Sequence, residues 1–110
     1  MIDDDDIAKL IEILQDDDEP VYVAFNFLEK LQAKEIDFNS FLSTVEILLQ
    51  TERISLYEFK WIGSRKTSTR LLVGPHFLTD AYRDSDLNDP NQDPLNYYLS
   101  LDSRSDVIIH

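Results

Sequence analysis

The hydrophobic period changes between Arg53 and Val73, and that change restricts what the chain can fold into. Up to Gln50 apolar residues recur every three or four positions, as on one face of a helix. From Ile54 to Ile62 β-branched and aromatic residues crowd together, with Tyr57, Phe59 and Trp61 on one face of a strand and Ile54, Leu56 and Ile62 on the other. Gly63-Ser64 can turn the chain, and Thr67, Thr69, Leu71 and Val73 then alternate, which is a hairpin pattern. The competing reading is a helix opened by Ser55 with Glu58 three residues on. Its apolar residues would point almost all round the axis, so only a fully buried helix would suit them, and the hairpin is preferred.

Before this stretch the spacing predicts three helices within residues 3–50. Ile7, Leu10, Ile11 and Leu14 mark the first, with Asp3, Asp4, Asp5 and Asp6 before or in its opening turn, where the helix dipole favours acid. Asp16, Asp17, Asp18 and Glu19 are expected to end it and to cap the next, with Pro20 near the first turn. The second covers Val21 to Lys34. Its opening alternates like a strand at Val21, Val23, Phe25 and Phe27, but the apolar stripe runs on through Leu28 and Leu31 without a turn signal. Asp37 or Asn39 caps the third, whose stripe is Phe41, Leu42, Val45, Leu48 and Leu49.

After Gly74-Pro75, His76 to Arg83 suits a short helix and Asp84 to Pro94 an exposed loop. Asn96–Leu101 and Asp106–His110, joined by the turn DSRS, read as a second hairpin. The fold class is therefore α+β, with three N-terminal helices packed on a small C-terminal antiparallel sheet of two hairpins. Residues 1–110 form one acidic domain.

Charge enters because the capping argument explains only one or two acids of each run. The chain carries 22 acidic and 10 basic residues, a formal charge of −12. Residues 1–50 hold 13 acidic against 3 basic residues, whereas residues 51–73 set Arg53, Lys60, Arg65, Lys66 and Arg70 against Glu52 and Glu58. Such a charge opposes general attraction to nucleic acid or anionic membrane and favours attraction to something basic. The bland explanation is solubility, or a halophilic or otherwise acidic proteome.

The chemistry search excludes more than it finds. No cysteine is present, which removes disulfides, thiolate chemistry and cysteine zinc sites. The acidic start does not suit a secretory signal, no apolar run reaches membrane-spanning length, and a cytoplasmic location is expected. Asp84-x-Asp86-x-Asn88 opens like a calcium loop, but Asp89 and Leu95 stand where the turn glycine and the closing glutamate belong. His76 and Asp80 share a helical face, yet two ligands do not make a metal site. Phosphate-cradling and nucleophile motifs are missing, so neither an enzyme nor a cofactor is expected.

In size and charge the chain is similar to small nuclease-toxin immunity proteins and to nucleic-acid-mimicking inhibitors, although it carries no family motif. The resemblance implies a small acidic protein that masks a basic surface of a partner, such as a nuclease or toxin domain. The candidate contacts are Asp3, Asp4, Asp5, Asp6, Asp16, Asp17, Asp18, Glu19, Asp84, Asp86 and Asp89, with Tyr22, Tyr97 and Tyr98 as exposed aromatic anchors. The alternatives are a structural subunit of a complex, or a winged helix DNA-binding regulator using the basic hairpin at 60–70, although the third helix offers only Glu46 where a reading helix needs cations. A homodimer is left open, with the basic patch docked on acidic helices of the same chain or of a second copy.

Overall fold

A computed structural model describes residues 2–83, 97–101 and 107–109. Its elements follow in the order α1 (Asp4–Asp16), β1 (Glu19–Pro20), α2 (Val21–Gln32), α3 (Phe38–Gln50), β2 (Ser55–Ile62), β3 (Arg65–Leu72), α4 (Phe77–Ala81), β4 (Tyr97–Ser100) and β5 (Val107–Ile109). The protein is α+β, with its longer helices N-terminal and most of its sheet C-terminal.

The helix ends have local causes. Asp3 and Asp6 close a reciprocal capping box at α1: the Asp6 N–H donates to Asp3 Oδ1 at 2.9 Å, and the Asp3 N–H to Asp6 Oδ2 at 3.1 Å. Asp37 caps α3 by accepting the Ser40 N–H at 2.9 Å. No acid of the run Asp16–Glu19 caps α2, contrary to expectation. Pro20 occupies that position without a side-chain cap, and Glu19–Pro20 instead pair with β4 as a short strand. Ala33 ends α2 in the left-handed region at φ 51°, where a Cβ is unfavourable and glycine is the usual residue.

Hairpin β2–β3 forms as the alternation predicts, with Leu56 opposite Leu71 and Ile62 opposite Arg65. Gly63 sits in its turn at φ 64°, a conformation open to glycine at little cost. The second hairpin is corrected. Its two strands exist but do not pair with each other: β4 lies between β1 and β2, antiparallel to both, while β5 runs parallel to β3 at the far edge. The sheet order is β1-β4-β2-β3-β5. Short alternating segments define a strand but not its neighbour, since any open sheet edge satisfies the same backbone groups.

The main core lies between the helices and one face of the sheet. Leu56, Leu71 and Leu99 face Leu10, Leu14, Val21, Leu28, Phe41, Leu42 and Val45, all buried. Phe25, Phe38 and Phe41 meet at ring distances of 5.0 to 6.3 Å, and Tyr82 closes the group edge-on against Phe38. The next residue along each strand turns to the other face, where Tyr57, Phe59 and Tyr98 stack.

Two outcomes follow from this packing. Phe41→Ala, at 1% exposure, should cost about 3–5 kcal/mol, read by chemical denaturation. Ala33→Gly should raise stability by about 1 kcal/mol by relieving the left-handed alanine, since Cβ crowding there costs ~1–2 kcal/mol; an unchanged or lower midpoint would contradict the strain.

Candidate functional surface

Helix α1 separates the two acid runs, because its 12 rises of about 1.5 Å set Asp4 and Asp16 about 18 Å apart. The runs therefore do not form one cluster. A stripe of exposed residues along the outer face of α1 links them. Asp5, Glu12 and Asp16 fall at spacings of seven and four, within a narrow arc of the helix, while Leu10, Ile13 and Leu14 point to the core. Ala8 and Gln15 are exposed beside this stripe, and exposed Asp4 lies about 100° round the helix from its first member, Asp5. Lys9 reaches Glu12 at 3.3 Å, but both ends are well exposed, so this pair contributes little.

Asp6 does not belong to the surface. It has no exposed area, and it accepts from Gln32 Nε2 at 2.7 Å and from Lys34 Nζ at 2.9 Å. Gln32 also donates to Asp5 at 2.8 Å, and Lys34 lies 3.8 Å from Asp3. Asp6 thus fastens the start of α1 to the end of α2. Burial pushes its carboxyl up, but the bonds from Gln32, Lys34 and the Asp3 N–H, with the charge of Lys34, outweigh that and hold its pKa down at about 2. The bond to Asp6 raises the Lys34 ammonium above its usual value, with smaller help from Asp3 and Asp5. Gln32 and Lys34 are 26 and 28 residues from Asp6, so nothing local in the sequence signals the partnership.

At the other end of α1, Asp16 and Asp17 are exposed, and Asp18 and Glu19 are half-buried. Asp16, Asp17 and Asp18 line a cleft of about 360 Å³ with Leu14, Gln15 and Leu101. Burial, then the charges of Asp17 and Asp18, raise the Glu19 carboxyl above its ordinary value.

The aromatic anchors are mostly corrected. Tyr22 is 5% exposed and packs on Phe25 and Phe38. Tyr98 is 4% exposed, stacks on Tyr57, packs tilted against Phe59, and shares a hydrogen bond with the Ser68 hydroxyl. Tyr22 lies on the core side of α2, and Tyr98 lies on the sheet face opposite the helical core, covered there by Tyr57 and Phe59. Tyr97 is half-buried against Phe77, and burial followed by the Glu58 charge raises its phenol. Asp84, Asp86 and Asp89, with the expected loop and calcium-like motif, lie outside the described residues.

Glu46 is 5% exposed, and its carboxylate accepts the N–H groups of Leu78 at 3.0 Å and Thr79 at 3.3 Å, capping α4. The exposed positions of α3, including Asn39, Ser43, Ile47 and Gln50, carry no cation. Among the described residues no group of three metal-ligating side chains occurs, and no helix is long and apolar enough to cross a membrane.

The class is an α+β domain with an acidic helical face. No family model, curated protein or solved structure matches the chain.

The Asp6 latch has a pH signature. A carboxyl depressed in the folded state stabilises it above the unfolded pKa, roughly 4, and that contribution disappears as pH falls through about 2. Thermal midpoints from pH 6 to pH 2 should therefore fall less steeply for Asp6→Asn than for the wild type. At neutral pH the substitution should cost about 1.5–3 kcal/mol, the range for hydrogen bonds to charged groups. Parallel pH profiles would remove the latch as the cause.

Proposed function

We propose that this protein is a small acidic binding protein that masks a basic surface on a protein partner, as an immunity or inhibitor protein masks a nuclease or other nucleic-acid-binding domain. One observation carries the reading: the outer face of α1 holds Asp5, Glu12 and Asp16 exposed in a line, flanked by exposed Asp4, and continues into Asp17, with Lys9 its only cation. Holding these charges side by side costs the fold stability, and only Asp3 and Asp6 of the first run are needed for the cap. A preformed row of carboxylates on a rigid helix raises the encounter rate with a cationic surface, and it loses little side-chain freedom on binding. A cytoplasmic site of action accompanies this proposal.

The cation-free face of α3 supports this reading over a winged helix DNA-binding regulator. No catalytic assembly is invoked: the buried acids Asp6 and Glu46 are occupied in holding helices together.

The test is a paired capture from the native host, using as baits the wild type and the variant Asp4→Asn, Glu12→Gln, Asp16→Asn, Asp17→Asn. Quantitative mass spectrometry should show a basic protein retained by the wild type and depleted on the variant, while the variant melts at or slightly above the wild-type temperature. With that partner purified, the loss should fall on the association rate and shrink at about 1 M salt, where the Debye length is ~3 Å. Identical proteins on both baits would end the reading.

A further inference from the structure

Among the described residues, the outer half of hairpin β2–β3 extends past its backbone partners in the sheet, while Phe59 and Ser68 at its base touch Tyr98 of β4. β2 meets β4 only through Ser55–Glu58, and β3 meets β5 only through Arg70–Leu72. Among the described residues, Phe59–Ile62 and Arg65–Ser68 pair only with each other along the backbone. They form a two-stranded ribbon about 13 Å long, at four residues of ~3.3 Å each. The ribbon carries Lys60, Arg65 and Lys66 and no acid. Arg65 and Lys66 are exposed, as is Ile62 at the tip, with 69% of its surface open. Lys66 Nζ lies 3.4 Å from the centre of the Phe59 ring, which holds the ammonium in place and leaves its charge uncancelled. Among the described residues no ion pair joins the ribbon to the acidic helices of its own chain.

We infer that this ribbon binds the acidic α1 face of a second copy of the chain, so that copies associate head to tail. The inference rests on the reading of α1 as a binding face. Both complementary surfaces lie on one molecule, and the ribbon's ~13 Å fits within the ~18 Å between Asp4 and Asp16. The ribbon meets the stripe rather than another ribbon, so the contact is heterologous and builds short open chains or a ring. A polyanionic nucleic acid is the poorer occupant. It would be repelled by a body carrying the remaining acid, on a molecule of net −12, and it would find no cation on α3. The same net charge opposes two copies at long range, which keeps the association weak and confines it to ion-pair distance.

Two surface variants test the contact. One reverses the ribbon with Arg65→Glu and Lys66→Glu, and the other neutralises the stripe with Glu12→Gln and Asp16→Asn. Circular dichroism melts confirm that both fold. Sedimentation velocity of the wild type should show mass rising with concentration at about 0.1 M salt and monomer alone at about 1 M, where the Debye length drops from ~10 to ~3 Å. Each variant alone should remain monomeric. Mixed, they should recover a one-to-one species that grows no further, because one intact ribbon meets one intact stripe. A wild type monomeric at millimolar concentration, a ribbon variant that still associates, or a mixture that stays monomeric would each overturn the inference. Retention of a mixed-sequence DNA duplex by the wild type but not the ribbon variant, with no self-association, would assign the ribbon to nucleic acid instead. Wild-type monomer together with stripe-dependent capture of a basic protein would overturn only this contact. Loss of that capture with self-association intact would overturn only the proposed function.

Discussion

The fold depends on where four residues lie. Strand β4, Tyr97–Ser100, enters the sheet between β1 and β2 and pairs with both. Without it the segment joining α1 to α2 would have no strand to pair with, and the hairpin would lose the neighbour of its inner half. Leu99 is fully buried in the helical core, while Tyr98, one position along, stacks with Tyr57 and Phe59 on the opposite face. Each such face needs apolar cover, and a central strand supplies it to both at once.

Two acids that looked like surface charge hold helices in place. Asp6 ties the start of α1 to the end of α2, and Glu46 binds the first N–H groups of α4 from the side of α3. In both cases hydrogen bonds compensate the lost hydration, donated by an ammonium and an amide at one site and by backbone N–H groups and a hydroxyl at the other. Among the described residues the α1 stripe is then a row of negative charge, and the ribbon is its opposite in sign. Charge is thus unevenly spread over these residues, which the net charge alone does not describe.

Much of the fold was legible. The three helices lie within the predicted 3–50 span, Asp37 caps the third, and the hairpin turns at Gly63-Ser64. These features depend on contacts between residues three, four or a few positions apart, which periodicity and capping chemistry record directly. The candidate surface was less legible. Asp3 to Asp6 read as four equal charges, but a helix turns successive residues by about 100°, so Asp6 points inward and Asp4 and Asp5 do not. Glu12, which completes the stripe, belongs to neither acid run, and only its helical spacing from Asp5 and Asp16 signals it. Tyrosine is common both in cores and at interfaces, so composition does not separate the buried Tyr22 and Tyr98 from exposed anchors.

The sequence by itself determined the class of the fold, the positions of the three long helices and of the first hairpin, and the division of charge between an acidic helical half and a basic hairpin. These follow from near neighbours and simple counting. Only the tertiary structure decided that the C-terminal strands separate to different neighbours, that Glu19–Pro20 become a strand, and that Asp6 finds Gln32 and Lys34. The physical reason is the same in all three. A strand edge or a buried carboxylate accepts any partner of the right chemistry, and which one it meets depends on how distant segments pack.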